Sequence, residues 1–456
     1  MRGTLAQLIT SMPGARLTAD ASFDKVSTDS RTANAGALFV ALRGEIHDAH
    51  GFLPQVAANG AAAVIVEQLP EGWTLPAIVV PNTLTALGQI ASQWRRQYAI
   101  PLIGVTGSNG KTTVKEMIAA ILAAAFGEDA RLATQGNLNN EIGVPLTLMR
   151  LEASHRAAVV ELGMNHPGEI GRLAAIAQPT VALVNNAQRE HQEFMHTVEA
   201  VAQENGSVFA VLPADGVAVY PGDDTYTALW QGLAQHCRSI TFGLSEACDV
   251  YATYSSNGFG NNLKVTTPGG AFDLTLAAAG EHNVRNALAA IACALAAGIA
   301  QDVIVRGLEA FSPVGGRLQR KQAANGATVI DDTYNANPDS MRAAIDVLAN
   351  YPAPRILVIG DMGEVGTQGR EFTEEIGSYA QQRGIETVLA TGELSRYLVP
   401  SGAHHFEQFD DVLAALDKEL GGNSDATVLV KGSRFMKMER VVNHLIGSTH
   451  TGKDAH

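Results

Sequence analysis

Apolar residues in this chain fall into short continuous runs, separated by stretches of helical period. PLIGVTG, RAAVVELG and PTVALVNN in the middle, and ATVIDD, RILVIGD, TVLATG and ATVLVKG toward the end, read as buried strands. Between the first two, KTTVKEMIAAILAAAF sets Val114, Met117, Ile118, Ile121 and Leu122 on one helical face. Near the start, GALFVALRG and AAAVIVE read as strands and LTALGQIASQWRRQY as a helix; NALAAIACALAAG is a second strongly apolar helix. From 246 to 277, DVYATYSS, NLKVTT and AFDLTLA predict antiparallel strands joined by Gly-rich turns. Elsewhere strand and helix alternate, which predicts parallel sheets covered on both faces. The fold class is α/β in three units: residues 1–96, of mixed character, 97–313 and 314–450. In such sheets ligands gather beyond the carboxyl ends of the strands.

Length agrees with that count, since 456 residues predict about two to four domains. Composition narrows the partners. With 46% hydrophobic and 17% charged residues each unit can bury a core. A net charge of -14 argues against a nucleic-acid or membrane-surface binder, which needs a basic face. Phosphate ligands stay open, because they need only local positive charge and backbone N–H groups. Three cysteines, Cys237, Cys248 and Cys293, have no CxxC spacing, so a reducing cytoplasm fits better than a disulfide framework. No signal peptide or membrane span is read. The tail after Gly447, STHTGKDAH, is polar and is expected to fray.

The strongest chemical signal is GVTGSNGKTT, Gly104–Thr113, between an apolar strand and an amphipathic helix. Glycines let the backbone curl so that N–H groups face a phosphate, and the helix start adds partial positive charge. Thr106, Gly107, Ser108, Asn109, Gly110, Lys111, Thr112 and Thr113 form this cradle. Lys111 reaches the β/γ-phosphates and Thr112 is placed to ligand Mg²⁺. The spacing departs from the usual G-x4-G-K-[ST], since position 105 is Val.

Other motifs admit two readings each. Asn137 and Asn140, in TQGNLNNEIGVP, belong to a ligand-lining loop or to a plain polar one. Glu161 closes a strand as a Mg²⁺ ligand or a surface acid. His191, beside Glu190, is a metal or substrate contact or a structural histidine. Asn283 and Asn286 either pair with adenine or cap their helix. Arg317, the DDTYNANPDS stretch with Asp332, Asn335, Asn337 and Ser340, and Lys431 and Arg434 in KGSR offer groups for phosphate or carboxylate. Ser30, Arg31 and His50, near strand ends in the first unit, do the same or simply form loops.

Taken in order, GVTGSNGKTTVKEM, GNLNNEIGVP, ELGMNHPGEI, GEHNVRNALAA, GGR, DDTYNANPDS, GDMGE and KGSR resemble the Mur ligases over nearly the whole chain. DSR, DDTYNANPDSM and GDMGE point to the branch that adds D-alanyl-D-alanine. The resemblance implies an N-terminal domain that binds a UDP precursor, a central P-loop ATPase-like domain and a Rossmann-like C-terminal domain. It implies ATP and Mg²⁺ as cofactors, UDP-N-acetylmuramoyl-tripeptide and D-alanyl-D-alanine as substrates, no nucleic acid, no membrane insertion, a cytoplasmic location and a monomer. By the same resemblance Lys111, His191 and Arg317 are catalytic, and Thr112, Glu161 and His191 surround the metals. Asn283 and Asn286 bracket adenine, while Asp332 and Asn335 approach ATP. Ser30, Arg31, His50, Asn137, Asn140, Asn337, Ser340, Lys431 and Arg434 contact the other substrates.

Three departures from the family pattern matter. Members carry a carbamoylated lysine shortly after the histidine motif, where this chain has Asn205, so that Glu204 or another acid substitutes or the second metal is held differently; the family's DGH reads Asp48-Ala49-His50; and a histidine after the GDMxE motif is replaced by Thr373. Three further readings stand beside the main one: a related ligase adding another amino acid or dipeptide, an ATP-binding pseudoenzyme, and a P-loop motor or transport ATPase.

Overall fold

The computed structural model describes residues 1–44 and 46–447, so the polar tail lies outside the described residues. Each of the three stretches is built on its own main sheet. In the first, five strands run in the order Arg16–Leu17, Ala77–Val79, Ala63–Val66, Ala37–Val40 and Lys25–Ser27. Only the outermost pair, Arg16–Leu17 with Ala77–Val79, is antiparallel.

The second sheet has nine strands. Leu102–Thr106 lies at its heart, parallel to Ala157–Glu161 on one side and Val181–Val184 on the other. All three are fully buried, which explains their continuous apolar sequence. The expected antiparallel strands are present as Val250–Ser256, Asn261–Thr267 and Gly270–Leu276. They extend the parallel sheet instead of standing apart, because Val250–Ser256 pairs in parallel with Arg238–Gly243. Three strands that the pattern did not mark also join: Arg131–Ala133, Val217–Pro221 and Arg238–Gly243.

The third sheet has six strands. Thr328–Asp332, Thr427–Lys431, Arg355–Ile359 and Thr387–Thr391 are adjacent and parallel. The unmarked strand Gln319–Gln322 pairs antiparallel at one edge, and His404–Phe406 closes the other.

Packing joins these units unequally. The first and second share one apolar core, in which helix Thr83–Arg95 packs on helices Gly143–Leu148 and Glu169–Ala177. Trp94 Nε1 and the Tyr98 hydroxyl both donate to Leu151 O, at 3.1 and 3.0 Å. The third unit has its own apolar layers on the two faces of its sheet, and meets the second mostly through polar groups. Among the described residues no helix is long and apolar enough to cross a membrane.

Candidate active site

Helix Lys111–Phe126 starts directly beyond the central strand, and its apolar face, Val114, Met117, Ile118, Ile121 and Leu122, is buried as the spacing predicts. Gly110 turns the chain into it with φ of +80°, and a Cβ there would collide with the Asn286 amide. The loop is braced from the neighbouring strand end. Asn109 N donates to Asn186 Oδ1 at 2.8 Å, and Asn185 Nδ2 donates to Asn109 O at 2.8 Å. Asn286 Oδ1 accepts from Asn185 Nδ2 at 2.9 Å.

Lys111 Nζ donates to Ser108 O at 3.0 Å and to Glu190 Oε1 at 2.9 Å. Glu190 is buried. Burial is the largest effect and works against its charge, but Lys111 and His191 together outweigh it and hold the carboxyl below its usual range. Thr112 Oγ1 donates to Glu161 Oε2 at 2.9 Å, and Asn139 Nδ2 donates to Glu161 Oε1 at 2.9 Å. His191 lies between Glu190, 3.5 Å from Nε2, and Glu364, 2.5 Å from Nδ1. Burial lowers its pKa, yet the two carboxylates prevail and push the imidazole up to about 9.

These groups line one cleft of about 610 Å³. From the second unit it receives Ser108 to Thr113, Asn137, Asn140, Glu161, His191 and Asn283. From the third come Arg317, Asp332, Asn335, Asn337, Ser340, Lys431 and Arg434. Lys431 Nζ is bonded to Asp332 Oδ2 at 2.6 Å and Asn335 O at 2.9 Å. Arg317 lies over the Tyr334 ring, 4.1 Å from its centroid. Asn337 caps helix Pro338–Ala349 through Ser340 N and also donates from Nδ2 to Asn109 Oδ1 at 2.9 Å.

The remaining candidates lie elsewhere. Thr106 is buried in its strand, and Gly107 supports Lys111 through its carbonyl oxygen. Asn286 stands behind the loop rather than on the cleft wall. Asn283 Nδ2 is occupied by Ala279 O at 2.8 Å, and its Oδ1 accepts from Asn286 at 3.1 Å, so the pair ties down the helix start. In the first unit Arg31 is paired with Asp29 at 2.7 Å, and Ser30 O accepts from Asn59 Nδ2 at 3.2 Å. His50 binds Asp48 through Nδ1 at 2.6 Å and accepts Glu67 N through Nε2 at 2.9 Å. Both ring nitrogens are therefore used inside that unit, and the ring as it stands has none left for a ligand.

The cleft thus joins the glycine-rich loop before helix Lys111–Phe126 to a charged wall from the third unit, where Arg317, Lys431 and Arg434 stand with Asp332 and Glu364. Residues 105–294 match the family model of the Mur ligase middle domain, and residues 316–434 that of the Mur ligase, glutamate ligase domain. UDP-N-acetylmuramoyl-tripeptide--D-alanyl-D-alanine ligase of Escherichia coli (strain K12) is 40% identical over 446 residues, spanning 97% of this chain and 98% of that protein. The chain belongs to the Mur ligase family. Among solved structures, MurF from Acinetobacter baumannii superposes with a TM-score of 0.93 at 36% identity, covering 98% of this chain and 99% of that one. MurF ligase from Thermotoga maritima in complex with ADP gives a TM-score of 0.84 at 25% identity, over 93% and 97% of the two chains.

In this Mur ligase the departures at Asn205 and Thr373 have visible settings. Asn205 is buried beneath the phosphate loop and accepts from Thr106 Oγ1 at 2.7 Å, leaving its own Nδ2 without a partner. Thr373 is buried and donates to Gly369 O at 2.7 Å inside its own helix, off the cleft wall. Sequence reasoning missed Asn139, Asn185, Asn186 and Arg189. The doubled asparagine just past a buried strand was the available signal for two of them. Nothing local marked Arg189, whose partners lie 150 residues or more away.

Proposed function

We propose that this chain joins D-alanyl-D-alanine to UDP-N-acetylmuramoyl-tripeptide at the expense of ATP, forming the pentapeptide precursor of peptidoglycan. The observation that carries the reading is the facing of two surfaces: the phosphate loop with Lys111, Thr112 and Glu161, and the cationic wall with Arg317, Lys431 and Arg434. The ligation brings together ATP, a substrate carboxylate and an acyl phosphate, all anionic, and cations on both sides offset their repulsion.

The chemistry proceeds without a protein nucleophile. The substrate carboxylate attacks the γ-phosphorus and ADP leaves with the bridging oxygen. The amine of the dipeptide then attacks the acyl carbon, the C–O bond to phosphate breaks, and the amine loses a proton. Lys111 is placed to neutralise the transferring phosphoryl group, while Arg317 and Lys431 oppose charge from the other side. Thr112 and Glu161 form a hard-oxygen pair suited to Mg²⁺, which takes one or two protein oxygens and fills its shell with phosphate and water. That sparse set fits the setting: among the described residues no cluster of three His, Cys, Asp or Glu is arranged to enclose an ion. When bound, the ion would screen the phosphate charge. His191, held as an imidazolium between Glu190 and Glu364, would have to shed its proton to serve as a further ligand.

Residues 1–96, with Ser30, Arg31 and His50, are the proposed UDP-precursor domain, 97–313 the ATP domain, and 314–450 the domain that receives the dipeptide and closes on ATP. For His50 this requires its present bonds to rearrange. All three contribute to one chain's cleft, Leu84 coming from the first, which supports action as a monomer. A cytoplasmic site fits the substrates.

Phosphate release with ATP and UDP-N-acetylmuramoyl-tripeptide tests the proposal. Release should require D-alanyl-D-alanine. Turnover with diaminopimelate or lysine instead would assign the chain to a different member of the family.

A further inference from the structure

Lys115 is a fully buried cation that the ligation chemistry does not use. Its ammonium pairs with the Glu116 carboxylate and donates to Thr134 O at 3.0 Å. Taking an ammonium out of water is costly, and an uncharged side chain of similar length would fill the same space without that cost. Thr112 and Lys115 stand three residues apart, on one face of helix Lys111–Phe126. Thr112 Oγ1 donates to the Glu161 carboxylate at 2.9 Å. Lys115 reaches the backbone of the same residue through Thr134, whose Oγ1 accepts from Glu161 N at 3.0 Å. The helix thus holds Glu161 at both its side chain and its main chain.

These bonds depart from a regular sheet. Strand Arg131–Ala133 pairs in parallel with Ala157–Glu161, Ala133 lying opposite Val159. Thr134 N continues that ladder to Val159 O at 3.2 Å. One more regular rung would send Glu161 N to the carbonyl of Thr134. Here Lys115 takes that carbonyl, and the Thr134 hydroxyl takes the amide. The strand ends at this point, and the chain turns into the loop that carries Asn139. Asn139 O accepts from Gly163 N at 2.9 Å, and its Nδ2 donates to Glu161 Oε1 at 2.9 Å.

We propose that Lys115 is a positioning residue for Glu161: by drawing the Thr134 carbonyl off the ladder it sets the course of the 134–140 loop, and with it the aim of the carboxylate. The consequence for Mg²⁺ rests on the ligase reading, in which Thr112 and Glu161 face the ion, whereas the geometry lies wholly within the central unit. Mg²⁺ demands near-ideal octahedral oxygens at short range, so a misdirected carboxylate serves it less well. In Lys115→Met the Thr134 carbonyl is free to return to Glu161 N. The ladder then gains a rung, the Thr134 hydroxyl is released, and the start of the loop shifts.

Equilibrium binding of adenylyl imidodiphosphate, a non-hydrolysable ATP analogue, to the full chain tests this, once with Mg²⁺ and once with EDTA. In the wild type Mg²⁺ should tighten binding. In Lys115→Met that enhancement should shrink roughly tenfold, while affinity in EDTA stays within about twofold of wild type. Thr134→Val, which removes the hydroxyl and leaves the lysine, should shrink it likewise, and Thr134→Ser should restore it. Hydrogen exchange over residues 134–140 without nucleotide should quicken in Lys115→Met. An unchanged Mg²⁺ enhancement in both Lys115→Met and Thr134→Val would overturn the proposal. So would an equal loss of affinity with and without Mg²⁺, which marks a merely structural role. If the wild type itself shows no Mg²⁺ enhancement, the ATP reading falls, and exchange as slow as wild type in Lys115→Met would separately sink the role of Lys115 in setting the loop.

Discussion

At the scale of single residues, the loop before helix Lys111–Phe126 holds its own lysine. Lys111 is bonded to the loop carbonyls and Glu190, bonds that nucleotide phosphates would take over in the proposed reaction. Lys111→Ala should keep the fold and lose about 10³-fold or more in turnover, the scale of a phosphoryl-transfer charge. Asn139→Ala should leave Glu161 short of one hydrogen bond and raise the Mg²⁺ concentration needed for half-maximal phosphate release, measured by titrating the metal. Asn205 makes a third expectation. Its amide is bonded to Thr106 and cannot form a carbamate as a lysine does, so depleting bicarbonate should leave activity unchanged. A fall in activity that bicarbonate restores would place a carbamoylated lysine elsewhere in the site.

At the scale of elements, the helix that carries Lys111 is seated by a close approach. A Cβ on Gly307 would lie 2.5 Å from Ile121 Cα, so helices Gln301–Glu309 and Lys111–Phe126 touch through a glycine. Gly307→Ala should force them apart and cost about 1–3 kcal/mol, read as a lowered urea midpoint. What was legible at this scale followed burial. Strands buried on both faces, such as Leu102–Thr106 and Thr427–Lys431, announced themselves as apolar runs. Gln319–Gln322 did not, because an edge strand of four polar residues, half of them exposed, carries neither an apolar run nor alternation. Arg131–Ala133 is too short to show a period. The candidate site was legible where one motif supplied several groups, as in Ser108–Thr113. It was hidden where a residue's role is fixed by a distant partner: Arg189 by Asp339 and Glu375, His50 by Glu67, Asn286 by Asn185. Three asparagines at 137, 139 and 140 share one polar loop, and only packing singles out Asn139 as the one on Glu161.

At the scale of the whole molecule, three main sheets make two mechanical bodies. Leu87, Ile90 and Ala91 of helix Thr83–Arg95 are fully buried in a core that the first and second units share. The third unit has two apolar layers of its own. A fragment of residues 314–447 should therefore fold alone, with a cooperative thermal transition and dispersed amide resonances. A fragment of residues 1–96 should instead aggregate or bind hydrophobic dyes, because the shared face is bare. Aggregation of the 314–447 fragment together with a cooperative transition in the 1–96 fragment would reverse this division. The shared core also has a consequence for how such chains can be recombined. A chimera that exchanges everything after the junction near residue 314 cuts through polar contacts, which a foreign partner can re-form one ion pair at a time. An exchange of the first 96 residues cuts through interlocked side chains and has to bring the matching faces of two central helices with it. Evolution by segment shuffling, and any engineering that imitates it, meets a permissive seam at the second junction and a resistant one at the first.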